Sequence, residues 1–195
     1  MVDTPVGTAR VHAGPGGGRG LVVLGHGAGG GVEARDLLAV TARLSADGWS
    51  VARVEQPYRV AGRRAPAPAA QLDAAWLAVV ASLRERYDGP LVAGGRSSGG
   101  RVACRTAATA GASAVVCLAF PLRPPRTPER SRADELAAVD VPVLVVQGER
   151  DQFGGPEDFA AGPTVVAVAD DHSLRRSAVV VADAVGRWLE AQSLQ

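Results

Sequence analysis

The chain has 195 residues, 47% of them hydrophobic and 21% charged. That length suits one compact domain spanning 1–195 with a sizeable core, and the composition excludes disorder away from the two ends. A formal net charge of +1 gives no general pull toward nucleic acid or an anionic membrane, so neither is expected as a partner.

All 21 basic residues are Arg. Together with the abundance of Ala, Gly, Val and Pro, this points to a GC-rich genome, and it lowers the functional weight of any cluster of arginines. Cys104 and Cys117 have no metal-ligand spacing around them and read as small buried apolar groups. No basic segment followed by an apolar one opens the chain, and no apolar run reaches membrane-spanning length. The expectation is a protein of the reducing cytoplasm.

In chain order, a weak strand is predicted at Thr8 to His12, followed by a turn region at Gly14 to Gly20. The run Leu21 to Leu24 is a strand, and Glu33 to Ser45 a helix that Gly48 stops. Val51 to Val54 is the next strand, after which Gln56 to Pro68, rich in Pro and Arg, reads as a loop. Leu72, Trp76, Val79 and Leu83 share one face of a helix. Leu91 to Ala93 is a strand leading into a helix from Ser98 to Ala110, which Gly111 ends. Val115 to Phe120 is a strand and Pro121 to Arg132 a second Pro- and Arg-rich loop. Strands at Val143 to Val146 and Val165 to Val168 follow, and Val181, Val185, Trp188 and Leu189 mark a last helix.

Most of these strands are apolar without alternation, as strands covered on both faces must be. Strands alternating with helices imply an α/β fold: a mostly parallel central sheet of about six or seven strands, right-handed crossovers, and helices on both faces. Ligands of such sheets bind at the C-terminal ends of the strands.

At one such end, Gly95-Arg96-Ser97-Ser98-Gly99 matches G-x-S-x-G between a strand and a helix. The spacing has a steric cause, because side chains two positions from a sharply turned Ser would strike the adjoining strand and helix. Gly95, Gly99 and Gly100 remove those clashes, and the helix N-terminus favours developing negative charge. The bland alternative is an ordinary turn in which Ser97 or Ser98 caps the helix.

A nucleophilic Ser needs a base, and the base needs an orienting acid. Of the three His residues, His172 lies in the loop before the last helix, where the order Ser, acid, His expects it. Asp151, just past the strand at Val143 to Val146, is the favoured acid. Glu149 is its rival in the same turn, while Asp170 and Asp171 are too close in the chain to reach the far side of the ring.

The loop Leu24 to Gly30 can aim a backbone N–H at an oxyanion, so the expected donors are the N–H groups of Ala28 and Ser98. Gly25, Gly27 and Gly30 also satisfy G-x-G-x-x-G, but no ribose-binding acid follows about 20 residues on, Glu55 coming too late. A phosphate loop is excluded by the missing Lys. His26 is expected to hold the turn.

These features, in this order, resemble the α/β-hydrolase superfamily. The chain looks most like the small branch containing testis-expressed protein 30 and the hydrolase-like domain of a non-specific lethal chromatin-complex subunit, with dienelactone hydrolase-like proteins as enzymatic relatives. The resemblance rests on Leu24 to Gly29, Gln56-Pro57-Tyr58, Gly94 to Arg101, Phe120-Pro121-Leu122, Gln147 to Phe153 and Asp171-His172-Ser173. It implies a triad of Ser97, Asp151 and His172, with Tyr58 and Arg123 lining the substrate pocket. Relatives often carry His at the position of Arg123. It implies neither a metal nor a cofactor, and it specifies no substrate.

Arg59, Arg63 and Arg64 in one loop, and Arg123, Arg126, Arg130 and Arg132 in the other, could recognise an anionic acyl substrate. The plainer reading is solvated loops in an Arg-biased chain. The segment from Phe120 to Val141 is too short for a helical lid domain, so an open, shallow pocket is expected. The function expected is hydrolysis of an ester or related acyl bond of a small substrate. A non-catalytic interaction module on the same fold, or acyl transfer through the same triad, are the alternatives.

Overall fold

The computed structural model describes residues 1–14, 16–124, 127 and 129–194. Eight strands form one sheet: β1 (Val2–Thr4), β2 (Gly7–Ala13), β3 (Leu21–Gly25), β4 (Ser50–Glu55), β5 (Leu91–Arg96), β6 (Ala114–Leu118), β7 (Val143–Gly148) and β8 (Thr164–Val168). Their spatial order is β1-β2-β4-β3-β5-β6-β7-β8. The first two strands pair antiparallel, and every pairing from β4 to β8 is parallel.

The sheet is wider than the six or seven strands expected. The additional strand is β1, three residues with the burial of an edge, which carry no apolar run to betray them. Helix α1 (Arg35–Ala46), α3 (Ala69–Arg84), α4 (Ser98–Ala110) and α6 (Ala178–Ala191) fall where the apolar periodicity put them. The short helices α2 (Pro57–Val60) and α5 (Ala133–Ala137) do not. The first corrects the reading of Gln56 to Pro68 as loop throughout: Pro57 starts the turn at a position where a missing N–H costs nothing. Both are too short to show a periodic face.

The continuous apolar strands divide by alternation between two cores. Leu21, Val23, Leu91, Ala93, Val115, Cys117 and Val145 pack on the α3/α4 side. Val22, Leu24, Val92, Val116, Leu118, Leu144 and Val146 pack on the α1/α6 side. Each fully buried Val or Leu contributes roughly 1.5–3 kcal/mol, so this double burial is what fixes the position of β5 and the turn at its end.

Cys104 and Cys117 are both buried and free, their sulfurs 3.5 Å apart. The neighbouring Cys104 thiol and burial together hold the Cys117 thiol well above its ordinary pKa. No helix among the described residues is long and apolar enough to cross a membrane.

Candidate active site

β5 ends and α4 begins on either side of Ser97, whose backbone is left-handed at φ 51°. Such a conformation costs a non-glycine residue about 1–3 kcal/mol. Its N–H donates to Leu118 O at 2.8 Å and its carbonyl receives the Arg101 N–H at 3.2 Å, so β6 and α4 both hold it. The glycines make the turn possible: a Cβ on Gly95 would lie 2.5 Å from Gly25 O, and one on Gly99 only 2.3 Å from the same oxygen.

The loop between β8 and α6 brings His172 to the serine. Its Nε2 lies 3.0 Å from Ser97 Oγ and its Nδ1 2.7 Å from Asp151 Oδ2. With Nδ1 protonated toward the carboxylate, Nε2 is left to accept the serine proton; this tautomer follows from the partners. The Asp151 side chain is completely buried. Its Oδ1 accepts the Phe153 N–H at 2.8 Å and its Oδ2 the Gln147 side-chain amide at 2.9 Å. The Phe153 ring packs on the imidazole with centroids 4.4 Å apart. Glu149, the rival acid, is exposed and makes no contact with the ring.

Asp170 has a different use. Its carboxylate accepts the N–H groups of Asp171 (2.8 Å), Arg176 (2.8 Å) and Ser177 (2.9 Å), tying both ends of the histidine loop to one buried side chain. Burial alone would raise its pKa, but the three N–H bonds outweigh it and hold the carboxyl below the ordinary range.

Facing this wall is the turn after β3. Gly27 O accepts His26 Nδ1–H at 2.8 Å and Gly30 N–H at 3.1 Å. The trans peptide then directs the Ala28 N–H the opposite way. His26 Nε2 in turn accepts the Gln56 N–H at 3.1 Å. Burial pushes this imidazole below its ordinary pKa, so it is neutral at pH 7. The turn lies against the elbow, since a Cβ on Gly27 would be 3.7 Å from Ser97 Cβ. Neither Ala28 nor Ser98 donates its N–H to an acceptor among the described residues. These are the two groups expected to face an oxyanion.

Tyr58 lines the small cavity behind Ser98 and a groove of about 360 Å³ beside α2, while Arg123 stands in a groove that includes Asp151. The Tyr58 hydroxyl donates to Ala28 O at 2.9 Å, and its ring is buried 5.8 Å from that of His26. Its hydroxyl thus contacts the turn after β3. Arg123 pairs with Asp158 at 2.6 Å and lines a shallow groove with Glu149, Asp151 and Glu157, which neither Ser97 nor His172 reaches. A flexible cation beside a free carboxylate is captured by it. Arg132 is likewise spent on Pro121 O at 2.7 Å. Arg63 lies in a groove of about 360 Å³ beside α2, and Arg126 lies outside the described residues.

The residue between the elbow glycine and the serine has a role that its sequence pattern does not announce. Arg96 Nη2 donates to His172 O at 2.8 Å, while its Nε stands 3.0 Å from the buried Asp36 carboxylate, an ion pair by distance though not aligned as a hydrogen bond. Burial raises the Asp36 pKa and Arg96 opposes it. The strand carrying the serine therefore also holds the backbone of the histidine loop. Gln147 and Asp170 are the other supports that sequence patterning passes over. Each is a polar residue in or beside an apolar run, a weak signal that a support is buried there.

Behind the elbow, the cavity between Ser98, His26 and Trp76 measures about 10 Å³, too small for an acyl chain.

An alpha/beta hydrolase domain family matches residues 18–179. No curated protein matches the chain. Among solved structures, Est1E from Butyrivibrio proteoclasticus with ferulic acid bound superposes with a TM-score of 0.81 at 18% identity, covering 98% of each chain. An alpha-beta serine hydrolase homologue from Coxiella burnetii gives 0.78 at 16% identity, over 96% of this chain and 95% of that one. A serine hydrolase without a lid from Xanthomonas campestris gives 0.73 at 24% identity, over 98% and 94%. At these identities the likeness is one of fold; with the family match over most of its length, the chain belongs to the alpha/beta hydrolases.

Proposed function

We propose that the protein is a serine hydrolase that cleaves a carboxylic ester or related acyl bond of a small substrate. The observation that carries this reading is the unbroken line from Ser97 Oγ through His172 to Asp151, at 3.0 and 2.7 Å. Ser97 Oγ attacks the acyl carbon while His172 Nε2 takes its proton. Asp151 stabilises the imidazolium and keeps the ring oriented, and the N–H groups of Ala28 and Ser98 receive the oxyanion. When the bond to the leaving alcohol breaks, His172 returns the proton to that oxygen. Water then adds to the acyl-serine with the same base, releasing the acid and restoring Ser97. Water is the only co-reactant, so the balance needs neither metal nor organic cofactor.

The tiny cavity behind the elbow and the short segment between β6 and β7 favour short or solvent-exposed acyl groups. Ferulic acid bound to Est1E fits the same acyl chemistry. The narrower kinship with the testis-expressed protein 30 branch and with dienelactone hydrolase-like proteins is part of this reading and rests on the shared motifs. So is a single domain over 1–195, and so is a cytoplasmic location, on the strength of two cysteines used as buried apolar groups.

Short-chain p-nitrophenyl esters provide the test. Wild type should release p-nitrophenol with turnover, and Ser97→Ala should lose about three orders of magnitude or more in kcat. Equal rates for the two proteins would refute the assignment. Turnover that appears only with an added alcohol acceptor would point to acyl transfer instead.

A further inference from the structure

The cavity of about 10 Å³ behind the elbow lies where the turn after β3, the start of α4 and helix α3 meet. His26, Gln56, Trp76 and Ser98 are among the residues that line it. Trp76 is wholly buried and Gln56 only 5% exposed. Trp76 Nε1 and Gln56 Oε1 are both sealed from solvent, and neither has a hydrogen-bond partner among the described residues. The other end of the Gln56 amide is fixed, since Nε2 donates to Leu72 O at 3.2 Å. Oε1 is therefore the atom left over. An indole N–H can only donate and an amide oxygen only accept. Two such groups without partners in the interior are costly, and their chemistry is complementary.

These two needs select the ligand, which must accept from Trp76 and donate to Gln56. An anion can accept from the indole but has nothing to give the amide oxygen. A metal ion suits the oxygen and is repelled by the N–H. Water does both, and a cavity of this size has room for one molecule. Gln56 also connects the cavity to the turn after β3: its own N–H donates to His26 Nε2 at 3.1 Å, and His26 Nδ1–H donates to Gly27 O at 2.8 Å.

We propose that this cavity binds a single water molecule that accepts from Trp76 Nε1–H and donates to Gln56 Oε1. The water completes a relay of hydrogen bonds from α3 through Gln56 and His26 to Gly27 O, and so helps to hold the Ala28 N–H in place. Trp76 and Gln56 are positioning residues, acting through the turn. The water site stands on the cavity and its two unpartnered atoms. Its bearing on catalysis rests on the serine hydrolase reading above and deepens it.

A high-resolution crystal structure should show one density peak in the cavity, within hydrogen-bond distance of both atoms. In solution, the Trp76 indole N–H, identified by its loss in Trp76→Phe, should show a dipolar cross-peak to water of the sign that marks a long-lived site. Gln56→Met keeps the backbone N–H to His26 and removes the amide, and the peak and cross-peak should disappear. Trp76→Phe leaves the bond to Leu72 O intact and should lose the density peak as well. An empty cavity in wild type, or a water that persists in both variants, overturns the site. On p-nitrophenyl acetate both variants should lose about threefold to tenfold in kcat with KM unchanged. A wild-type kcat in both overturns the relay while leaving the water site standing. A folded wild type that holds the water but cleaves no ester refutes the hydrolase reading and the catalytic role with it, but not the site.

Discussion

On one side of Ser97 stands the wall that carries His172, and on the other the turn from His26 to Gly31. The histidine wall is held by buried charge: Asp151 on the ring, Asp170 on the loop's backbone, and Arg96 with Asp36 beneath it. The oxyanion wall is held by neutral groups, a buried imidazole, a phenol and close glycine contacts. On the proposed mechanism, one wall positions a base whose charge changes during the reaction. The other positions a dipole that must stay fixed. The first should therefore respond to pH and to charge removal, the second to shape and to lost donors.

The largest effect should come from Asp151→Asn, which keeps the shape of the histidine wall but favours the wrong imidazole tautomer. Activity should fall by about four orders of magnitude with the fold intact, as read from esterase rates and thermal unfolding side by side. A loss under tenfold would mean that the buried carboxylate does not act on His172.

Arg96→Met should come next. It strands a buried carboxylate, at a cost of about 3–5 kcal/mol in denaturant unfolding. Adding Asp36→Leu removes the stranded charge and should restore most of that stability. The double variant should stay slow, because His172 O has lost its tether. Full recovery of activity would reduce Arg96 to a structural ion pair.

On the opposite wall, His26→Phe removes the donor to Gly27 O and should lower kcat by about tenfold to a hundredfold, with KM nearly unchanged. Tyr58→Phe removes one donor to Ala28 O and should cost about threefold to tenfold. If KM rose while kcat held, Tyr58 would be a substrate contact after all.

The smallest effect is the stability carried by Asp170. Its folded pKa lies below the unfolded value of about 3.9. Its contribution is therefore complete above pH 4 and is lost as the pH falls through the folded value. Asp170→Asn should flatten that acid limb of the stability curve. An unchanged acid limb would contradict the assignment.

The sheet, its four long helices and the meeting of Ser97, Asp151 and His172 were legible because each lies in or beside a pattern several residues long. β1, α2 and α5 were not, since three to five residues cannot show a period. At the site, Ser97, Asp151 and His172 could be read from chain order. Tyr58 and Arg123 were expected in the pocket; Tyr58 lines a cavity with Ser98 and also bonds the turn, and Arg123 pairs with Asp158. A run of arginines in sequence says little about where their charges meet. Arg35, Arg96 and Arg175 share a groove only because α1, β5 and the histidine loop end at the same sheet edge.

The central claim is that Ser97 is an activated nucleophile, and a fluorophosphonate probe tests it most directly. After reaction with the folded protein, peptide mass spectrometry should find one phosphonylated residue, Ser97, with the adduct absent from Ser97→Ala and strongly slowed in His172→Ala. An unlabelled wild type, or labelling that persists in Ser97→Ala, would contradict the account.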